Sequence, residues 1–337
     1  MNKSLIAVIA PGHKYYDERV RRSVEELSLE NDLLYIYELD GKKEYQEIVS
    51  SGNTIIHKQF PETLKSGLLS RRTKILKLKD ILTAYDISSY YIHEAGSFGL
   101  NLISSIPSEK KVIFDYHDWI PFEIQERFSN RFTFLFIYGL VKLYIRYVAR
   151  SLDGMVFISD SAKNYFQKNY KVIHSFVVPN SREALKTEDL STNFKFEKDK
   201  IELIWIGNVM RMRQIERLIN IKKLINELRS EIDVTISIWG SLKDKEYAEE
   251  LKDKSDDILF HGAYTSEEEI IINYKHMTFG FAFGWQESYD TKINDISRPT
   301  KYLSYGLLNI IGLLESKCSS FNDDLANSDI ELSFNSD

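Results

Sequence analysis

Cysteine is nearly absent from this chain, whose 337 residues include only one, Cys318. A single cysteine cannot close an internal disulfide, and Cys318 has no partner at the spacing of a zinc site. The sequence therefore excludes a disulfide-stapled fold and predicts a protein of the reducing cytoplasm.

Long apolar runs are also missing. The amino terminus offers only the short apolar run 5–10 before Pro11, too little for the core of a signal peptide, and we interpret it as a first β-strand. The segment from Phe132 to Val148 is rich in aromatic residues but is interrupted by Lys142 and Arg146. A spanning helix needs roughly 20 mostly uncharged residues, so we expect this segment not to span a bilayer. Two interpretations stay open: a buried domain helix, or a helix in a membrane interface with its basic side chains at the headgroups, which would place the protein on the inner face of the membrane.

A concentrated basic face is a third absence. The chain has 44 lysines and arginines against 50 acidic residues, for a net charge of −6, and the basic residues are spread along its whole length. Nucleic-acid binding requires clustered positive charge, so the sequence excludes a dedicated nucleic-acid binder. Apolar residues make up 43% and charged residues 28%, which is enough to bury cores and argues against disorder.

Short β-branched or aromatic runs alternate with longer amphipathic segments, a pattern typical of parallel βαβ units. A chain of this length also exceeds the size, about 250–300 residues, at which single cores stop growing. The polar stretch 180–200 lacks an apolar period and separates two series of runs. We therefore predict an α/β protein with two domains, residues 1–180 and 181–337. The predicted strands are 5–10, 33–39, 90–93, 112–116, 155–158 and 175–178, then 201–206, 234–239, 258–260, 279–283 and 307–311.

Glycines follow predicted strands at Gly12, Gly207 and Gly240. A bare backbone there lets a ligand approach a helix start, where amide groups suit phosphate. None of the three lies in a G-x-G-x-x-G fingerprint, so a dinucleotide site is not indicated. Because a glycine in such a place is commonly an ordinary turn, the assignment depends on neighbouring residues.

Basic residues accompany two of the predicted helix starts. Arg211 and Arg213 follow Gly207, while Arg298 and Lys301 lie three positions apart around Pro299. Guanidinium groups offer paired donors to phosphate oxygens, and a helix start favours negative charge. The pattern indicates a diphosphate site, and the alternative is ordinary capping by solvated side chains.

An acid–histidine–acid cluster follows the predicted strand 112–116. Asp115, His117 and Asp118 come at the carboxyl end of this strand, where ligands bind in doubly wound sheets. His117 can donate a hydrogen bond to a ligand hydroxyl or stabilise developing charge. The alternative is a loop histidine with purely structural contacts. A metal site is disfavoured, because the other histidines are scattered along the sequence.

Several short segments carry a family likeness in a fixed order: Asp17-Glu18-Arg19-Val20, Phe114-Asp115-Tyr116-His117-Asp118, Leu152 to Ser159, Val177-Val178-Pro179-Asn180, Ile206-Gly207 followed by Arg213, Phe260-His261-Gly262, and Ser297 to Tyr305. Together they resemble the retaining glycosyltransferases of family 4, which have the GT-B fold. The likeness runs from about residue 5 to residue 312.

The resemblance implies two Rossmann-like domains that face each other across a cleft, with a shortened C-terminal end. The N-terminal domain would hold a glycan or lipid-linked acceptor and the C-terminal domain a nucleotide sugar, with no cofactor and no metal ion, in surface-polysaccharide assembly of the bacterial type. It implies catalytic roles for His117 and Asp118. The implied donor-binding residues are Gly12, Gly207, Asn208, Arg213, Gly240, Tyr264, Arg298, Lys301 and Ser304.

The chain departs from the family pattern at several positions. Ile296 and Ser304 stand where two glutamates are usual, and Gln214 replaces a glycine. A second hypothesis is therefore a catalytically impaired homologue that binds a nucleotide sugar or a partner transferase. A nucleotide-sugar epimerase shares the twin-Rossmann plan but should carry a carboxylate-rich cleft, which the sequence does not indicate.

Overall fold

The computed structural model describes the chain in two compact units, Met1–Asn180 and Ser181–Asp337. Within them the described residues are 5–13, 17–38, 44–60, 68–93, 96–117, 124, 130–158, 160–170, 174–178, 199–255, 257–264, 269–270, 277–282, 311–315 and 333–334. Each unit is built on one sheet.

The first unit contains a sheet of eight strands in the order β3-β4-β2-β1-β5-β6-β7-β8. All neighbouring strands are parallel except β3, which runs antiparallel to β4 at the edge. The strands are β1 (Leu5–Ala10), β2 (Asp32–Glu38), β3 (Gln46–Ile48), β4 (Thr54–Phe60), β5 (Ser89–Ile92), β6 (Lys111–Tyr116), β7 (Gly154–Phe157) and β8 (His174–Val177). The helices are α1 (Glu18–Ser28), α2 (Leu68–Thr83), α3 (Gly96–Ile103), α4 (Arg131–Val148) and α5 (Asp160–Asn169).

The second unit contains a sheet in the order β11-β10-β9-β12-β13-β14, and all its pairs are parallel. Its strands are β9 (Lys200–Ile206), β10 (Asp233–Trp239), β11 (Ile258–Gly262), β12 (Met277–Ala282), β13 (Ile311–Glu315) and β14 (Ser333–Phe334). Its helices are α6 (Glu216–Leu228) and α7 (Lys245–Lys254), and a short 3₁₀ turn covers Arg211–Arg213.

Both sheets reverse their strand order at the centre. In the first unit the chain builds outward from β1 through β2 and β4, then returns to add β5 on the other side of β1. In the second unit β9 plays the same part between β10 and β12. Such a switch point opens a crevice at the carboxyl ends of the central strands, where doubly wound sheets bind ligands. The two sheets confirm the predicted α/β class with parallel strands.

Side chains that accept backbone hydrogen bonds fix the helix starts. Asp17 accepts from the Val20 N–H at the start of α1, at 3.4 Å. Asn130 accepts from two amides of the first turn of α4, and Asp244 accepts from the Tyr247 N–H in α7 at 2.9 Å. Each cap satisfies donors that have no partner within the helix.

The sequence patterns missed β3, β4 and β14, and placed the strand before β14 too early in the chain. The segment Thr54–Phe60 contains His57, Lys58 and Gln59, so its polar residues hid an internal strand although His57 is buried. The predicted strand 307–311 shares only Ile311 with β13, which covers Ile311–Glu315. Residues 307–310 lie outside the described residues.

Gln214 has a left-handed backbone, with φ of 53°, two residues before α6 begins. No other non-glycine residue among those described has a positive φ. It occupies the position at which the family pattern has glycine, and a side chain with a Cβ is strained in this region. The chain therefore keeps the backbone turn and accepts its strain.

Comparing two replacements of Gln214 isolates this strain, since both remove the same side-chain contacts. We expect Gln214→Gly to be more stable than Gln214→Ala by about 1 kcal/mol, because only alanine keeps a Cβ at positive φ. The free energy of unfolding in urea measures the difference. The matched control is Lys223 in the exposed part of α6, where glycine should be the less stable replacement by about 1 kcal/mol. Equal stability of the two Gln214 variants would contradict the assignment of strain.

Candidate functional site

Three histidines meet at the carboxyl edge of the first sheet. His13 follows β1, His93 follows β5 and His117 follows β6, and these three strands are neighbours. The ring centroids of His13 and His117 are 4.9 Å apart, and those of His93 and His117 are 6.2 Å apart. The cluster lies at the switch point between β1 and β5, where the topology places a ligand crevice.

Asp115 is the buried centre of this cluster. Its side chain, 1% exposed, accepts two hydrogen bonds from Arg19, from Nε at 3.1 Å and from Nη2 at 2.7 Å. His93 Nδ1 is 3.2 Å from Oδ2 and His117 Nδ1 is 3.5 Å from Oδ1 of the same carboxylate. Arg19 also donates from Nη1 to the carbonyl of Val178, at 3.0 Å. The pair thus joins α1, β6 and the residue that follows β8.

His13 is held between two oxygen atoms. Its Nδ1 is 2.9 Å from Asp17 Oδ2, and its Nε2 is 3.0 Å from the carbonyl oxygen of His93. His13 thus bridges Asp17, before α1, and the backbone at the end of β5.

Electrostatics keep both carboxylates of the cluster ionised. Burial favours the protonated form of Asp17, but the hydrogen bond and charge of His13 outweigh it and lower the pKa of Asp17 to about 2. Burial also favours the protonated form of Asp115. His117, His93 and Arg19 outweigh this effect and hold the pKa of Asp115 well below its usual range. Burial lowers the pKa of His93 despite the adjacent carboxylate, so this ring is neutral.

The orientation of His117 follows from these contacts. Its Nδ1 faces Asp115, which turns Nε2 away from the carboxylate. A carboxylate in this position orients an imidazole ring and stabilises its charged form. Asp115 therefore fixes the orientation of the His117 ring, which is 7% exposed.

His93, Asp115 and His117 also have the residue types of a metal site. The ligand atoms of His93, Asp115 and His117 lie within 4.8 Å of one another, a compatible spacing. Both Asp115 oxygens, however, accept hydrogen bonds from Arg19, whose charge opposes a cation at the same carboxylate. The residues fit a metal ion poorly, and metal independence stays a prediction.

The structure corrects one premise of the sequence analysis, that the other histidines are scattered. His13 and His93 are distant in sequence, but topology places both beside His117. The sequence signal that could have found them is that each directly follows a strand that ends at this edge. Gly12 belongs to the same edge, in the turn where the His13 N–H donates to the Ala10 carbonyl at 2.9 Å. Asp118 lies outside the described residues.

In the second unit, Gly207 and Gly240 pack directly against each other. A Cβ on Gly240 would lie 2.0 Å from the carbonyl oxygen of Gly207, and both glycines have positive φ, 140° and 142°. The Gly207 N–H donates to Trp239 and the Gly240 N–H to Gly262, each at 2.7 Å. These two amides therefore serve the sheet rather than a phosphate, which corrects the role expected for them. The glycines instead bring the loops after β9 and β10 together.

Other predicted donor residues border these glycine loops. Asn208 is exposed and Arg213 half-buried between β9 and α6, and Tyr264 follows β11. Arg211, by contrast, donates to both oxygens of Glu250, at 2.8 and 2.5 Å. It is therefore paired with a carboxylate instead of pointing to a phosphate site together with Arg213. Arg298, Lys301 and Ser304 lie outside the described residues.

No family model and no curated protein matches this sequence. Solved structures do match. A sucrose-phosphate synthase from Thermosynechococcus elongatus has a TM-score of 0.59 at 12% identity, covering 93% of this chain and 82% of that one. A trehalose-6-phosphate structure from E. coli bound with UDP-2-fluoro glucose has a TM-score of 0.62 at 9% identity, covering 98% and 88%. WaaG, a glycosyltransferase involved in lipopolysaccharide biosynthesis, has a TM-score of 0.59 at 11% identity, covering 98% and 86%.

The chain has the GT-B fold. Identities near one residue in ten establish the fold alone, because one fold hosts many chemistries. The residues at the carboxyl ends of the strands in the two sheets carry the information about function.

The neutral His93 predicts a pH dependence of stability. Its pKa in the folded protein lies below the ordinary value of 6.5, so the unfolded chain binds the proton first as pH falls. We expect the melting temperature to decrease as pH falls below about 6.5. The carboxylates Asp17 and Asp115, with lowered pKa values, add a second loss as pH falls below about 3.8.

The measurement is the melting temperature between pH 7 and pH 5 for the wild-type protein and two variants. His93→Gln should reduce the slope, since one titrating ring is gone. Burial also lowers the pKa values of His57 and His261, which account for the slope that remains. His174→Gln, at an exposed histidine of β8, is the control and should keep the wild-type slope. An unchanged slope in His93→Gln would show that His93 is not the group responsible.

Proposed function

We propose that this protein is a glycosyltransferase that moves a hexosyl group from a nucleoside-diphosphate sugar to a glycan or lipid-linked acceptor. We place the reaction in the cytoplasm, in surface-polysaccharide assembly of the bacterial type, with retention of anomeric configuration. The observation that carries the proposal is His117, oriented by a buried Asp115–Arg19 pair at the switch point of a GT-B fold. Supporting it, the similar E. coli structure holds UDP-2-fluoro glucose and WaaG acts in lipopolysaccharide biosynthesis.

His117 is the proposed catalytic residue of the first unit. As the donor sugar separates from its diphosphate, positive charge develops on the ring and negative charge on the leaving group. A fixed imidazole lowers this barrier by donating to a sugar hydroxyl or to a phosphate oxygen, with no reorganisation during the reaction. Asp115 holds the ring, and hydrogen bonds from His117 and His93, together with the charge of Arg19, keep Asp115 ionised.

The second unit is the proposed site of the nucleotide sugar. Gly207 and Gly240 present backbone without side chains at the ends of β9 and β10, where we place the diphosphate, and Arg213 supplies positive charge there. In this proposal Lys301, Arg298 and Ser304 complete the phosphate and sugar contacts, and Tyr264 lies toward the base. These cations replace a metal ion, and no cofactor takes part.

A catalytically impaired homologue is the second candidate. The observation that favours it is the absence of glutamates at Ile296 and Ser304. Such a protein would bind a nucleotide sugar or a partner transferase without turnover. A panel of UDP-, GDP- and dTDP-sugars distinguishes the two, because a transferase also hydrolyses its donor slowly or labels an acceptor, whereas the homologue only binds.

Replacing His117 with alanine should separate turnover from binding. We expect transfer to slow by about 10²-fold or more if the ring stabilises charge in the transition state. Donor affinity should stay nearly unchanged, since the proposed diphosphate contacts belong to the second unit. Turnover per folded molecule, donor affinity and melting temperature are measured on one preparation. His174→Ala serves as the control, and normal turnover in His117→Ala would remove His117 from the site.

Replacing Arg213 with alanine should weaken binding of the nucleoside diphosphate by about 1.5–3 kcal/mol, the scale of a hydrogen bond to a charged group. Arg211→Ala is the matched control from the same turn, because its guanidinium is committed to Glu250. Calorimetric titration with UDP and GDP measures both variants. A loss in Arg211→Ala together with wild-type affinity in Arg213→Ala would reverse the assignment.

A further inference from the structure

Helix α4 exposes a continuous apolar stripe. Its members follow the spacing of one helix face, i, i+4, i+8, i+11 and i+15, and each is 51–84% exposed. Isolated exposed apolar residues are ordinary, but five in a row along one helix form a surface that favours a partner. We name this surface the outer stripe; it consists of Phe132, Phe136, Leu140, Leu143 and Tyr147.

The opposite face of α4 is packed on the first unit. Phe134, Ile145 and Val148 are buried. The Tyr144 hydroxyl donates to Asn101 Oδ1 at 2.6 Å, and the Tyr138 hydroxyl lies 2.9 Å from that of Tyr165 on α5. This corrects the interpretation of α4 as a buried domain helix, because only one of its faces is covered.

By length and composition alone, the segment Arg131–Ser151 could cross a membrane. The packed face argues against crossing, because polar contacts tie α4 to α3 and α5. A helix that spanned the bilayer would carry these polar neighbours into hydrocarbon, where unsatisfied groups are costly. The geometry suits a helix that lies on a surface.

Positive charge lies along one flank of the outer stripe. Arg131, Lys142 and Arg146 share a face at spacings of i, i+11 and i+15, and Arg150 follows the helix. The segment 131–152 contains no aspartate or glutamate. We name the three helical cations the basic flank.

The charge pattern decides between two occupants. A second copy of this chain, with its α4 antiparallel across a twofold axis, would bring identical patches together and set one basic flank near the other. Like charges in an interface disfavour association. Lipid phosphates instead complement the flank, while apolar and aromatic side chains enter the boundary between headgroups and acyl chains.

Topology places the stripe relative to the histidine cluster. α4 connects the carboxyl end of β6 with the amino end of β7, and the Asp153 N–H donates to Val112 at the start of β6. The helix therefore runs back along the sheet, and its Phe132 end lies toward the edge that carries His117. Docking through α4 would hold this edge of the first unit near the surface.

We propose that the outer stripe and basic flank of α4 dock the protein on an anionic lipid bilayer, without spanning it. Phe132, Phe136, Leu140, Leu143 and Tyr147 enter the interface, and Arg131, Lys142 and Arg146 contact lipid phosphates. The inference does not rest on the proposed function, and its test measures no transfer.

Co-sedimentation of the full chain with phosphatidylcholine vesicles containing increasing phosphatidylglycerol tests the proposal. Binding should rise with the anionic fraction and decline between 0.1 M and 1 M salt, because the screening length falls from about 10 Å to about 3 Å. The variant Phe132→Ser/Phe136→Ser should lower the partition coefficient by about tenfold or more, since two aromatic side chains no longer leave water. Arg146→Gln should reduce the dependence on anionic lipid.

Matched controls lie on the same unit. Ile48→Ser removes an exposed apolar side chain of β3, and Arg21→Gln removes an exposed cation of α1. Both should bind vesicles like the wild-type protein, and circular dichroism checks the fold of every variant. Failure of the folded wild-type protein to bind anionic vesicles, or wild-type binding by the double variant, would overturn the proposal.

Sedimentation velocity of the free protein tests the second-copy alternative. The proposal expects that Phe132→Ser/Phe136→Ser leaves the oligomeric state unchanged while it lowers vesicle binding. A wild-type dimer that dissociates in the double variant, together with no vesicle binding, would identify the outer stripe as an interface between copies and would overturn membrane docking.

Discussion

The ion pair between Arg19 and Asp115 is the constraint on which the first unit depends. A carboxylate at 1% exposure needs a compensating charge, because an unpaired ion in the interior costs several kcal/mol. Arg19 supplies it through two hydrogen bonds and adds a third to the Val178 carbonyl. One side chain thus fixes α1 against β6 and against the residue after β8. The histidines take their positions around a carboxylate that is already held in place.

The cluster therefore combines groups with opposite protonation tendencies in a small space. Asp17 and Asp115 are held ionised, while burial keeps His93 neutral. His117 faces Asp115 with Nδ1, so its Nε2 is turned away from that carboxylate. Environments that drive neighbouring groups apart in pKa are a common feature of catalytic sites, although structural ion pairs produce the same shifts. The position of the cluster at the switch point therefore supports a functional role in addition to its electrostatics.

In the second unit the residues at the strand ends are held by backbone contacts, whereas in the first unit they are held by an ion pair. The contact of Gly240 with the Gly207 carbonyl leaves no space for any side chain, and the amides of both glycines complete the edge of the sheet. Neighbouring Gln214 holds a left-handed turn without the glycine that the family pattern has there. Backbone contacts thus bring these loops together, and Arg213 lies in the turn between β9 and α6.

Local pattern was sufficient for much of the fold. Alternating β-branched and amphipathic segments predicted parallel α/β sheets, since period and residue type reflect burial on both faces of a strand. They failed at β4, where His57, Lys58 and Gln59 interrupt the apolar pattern although the strand lies inside the sheet. For α4 the sequence supplied the aromatic and basic residues but left two interpretations, because helical spacing does not show which neighbours cover a face. Only packing against α3 and α5 decided that.

For the candidate site, the sequence by itself determined that His117 follows a strand and stands beside Asp115. The tertiary structure decided that His13 and His93 are its neighbours and that Arg19 holds Asp115. It also decided that Arg211 pairs with Glu250, a residue 39 positions further along the chain. The physical reason is the same in each case. Strand order and crossovers bring together residues that are far apart along the chain, and no local period encodes that order.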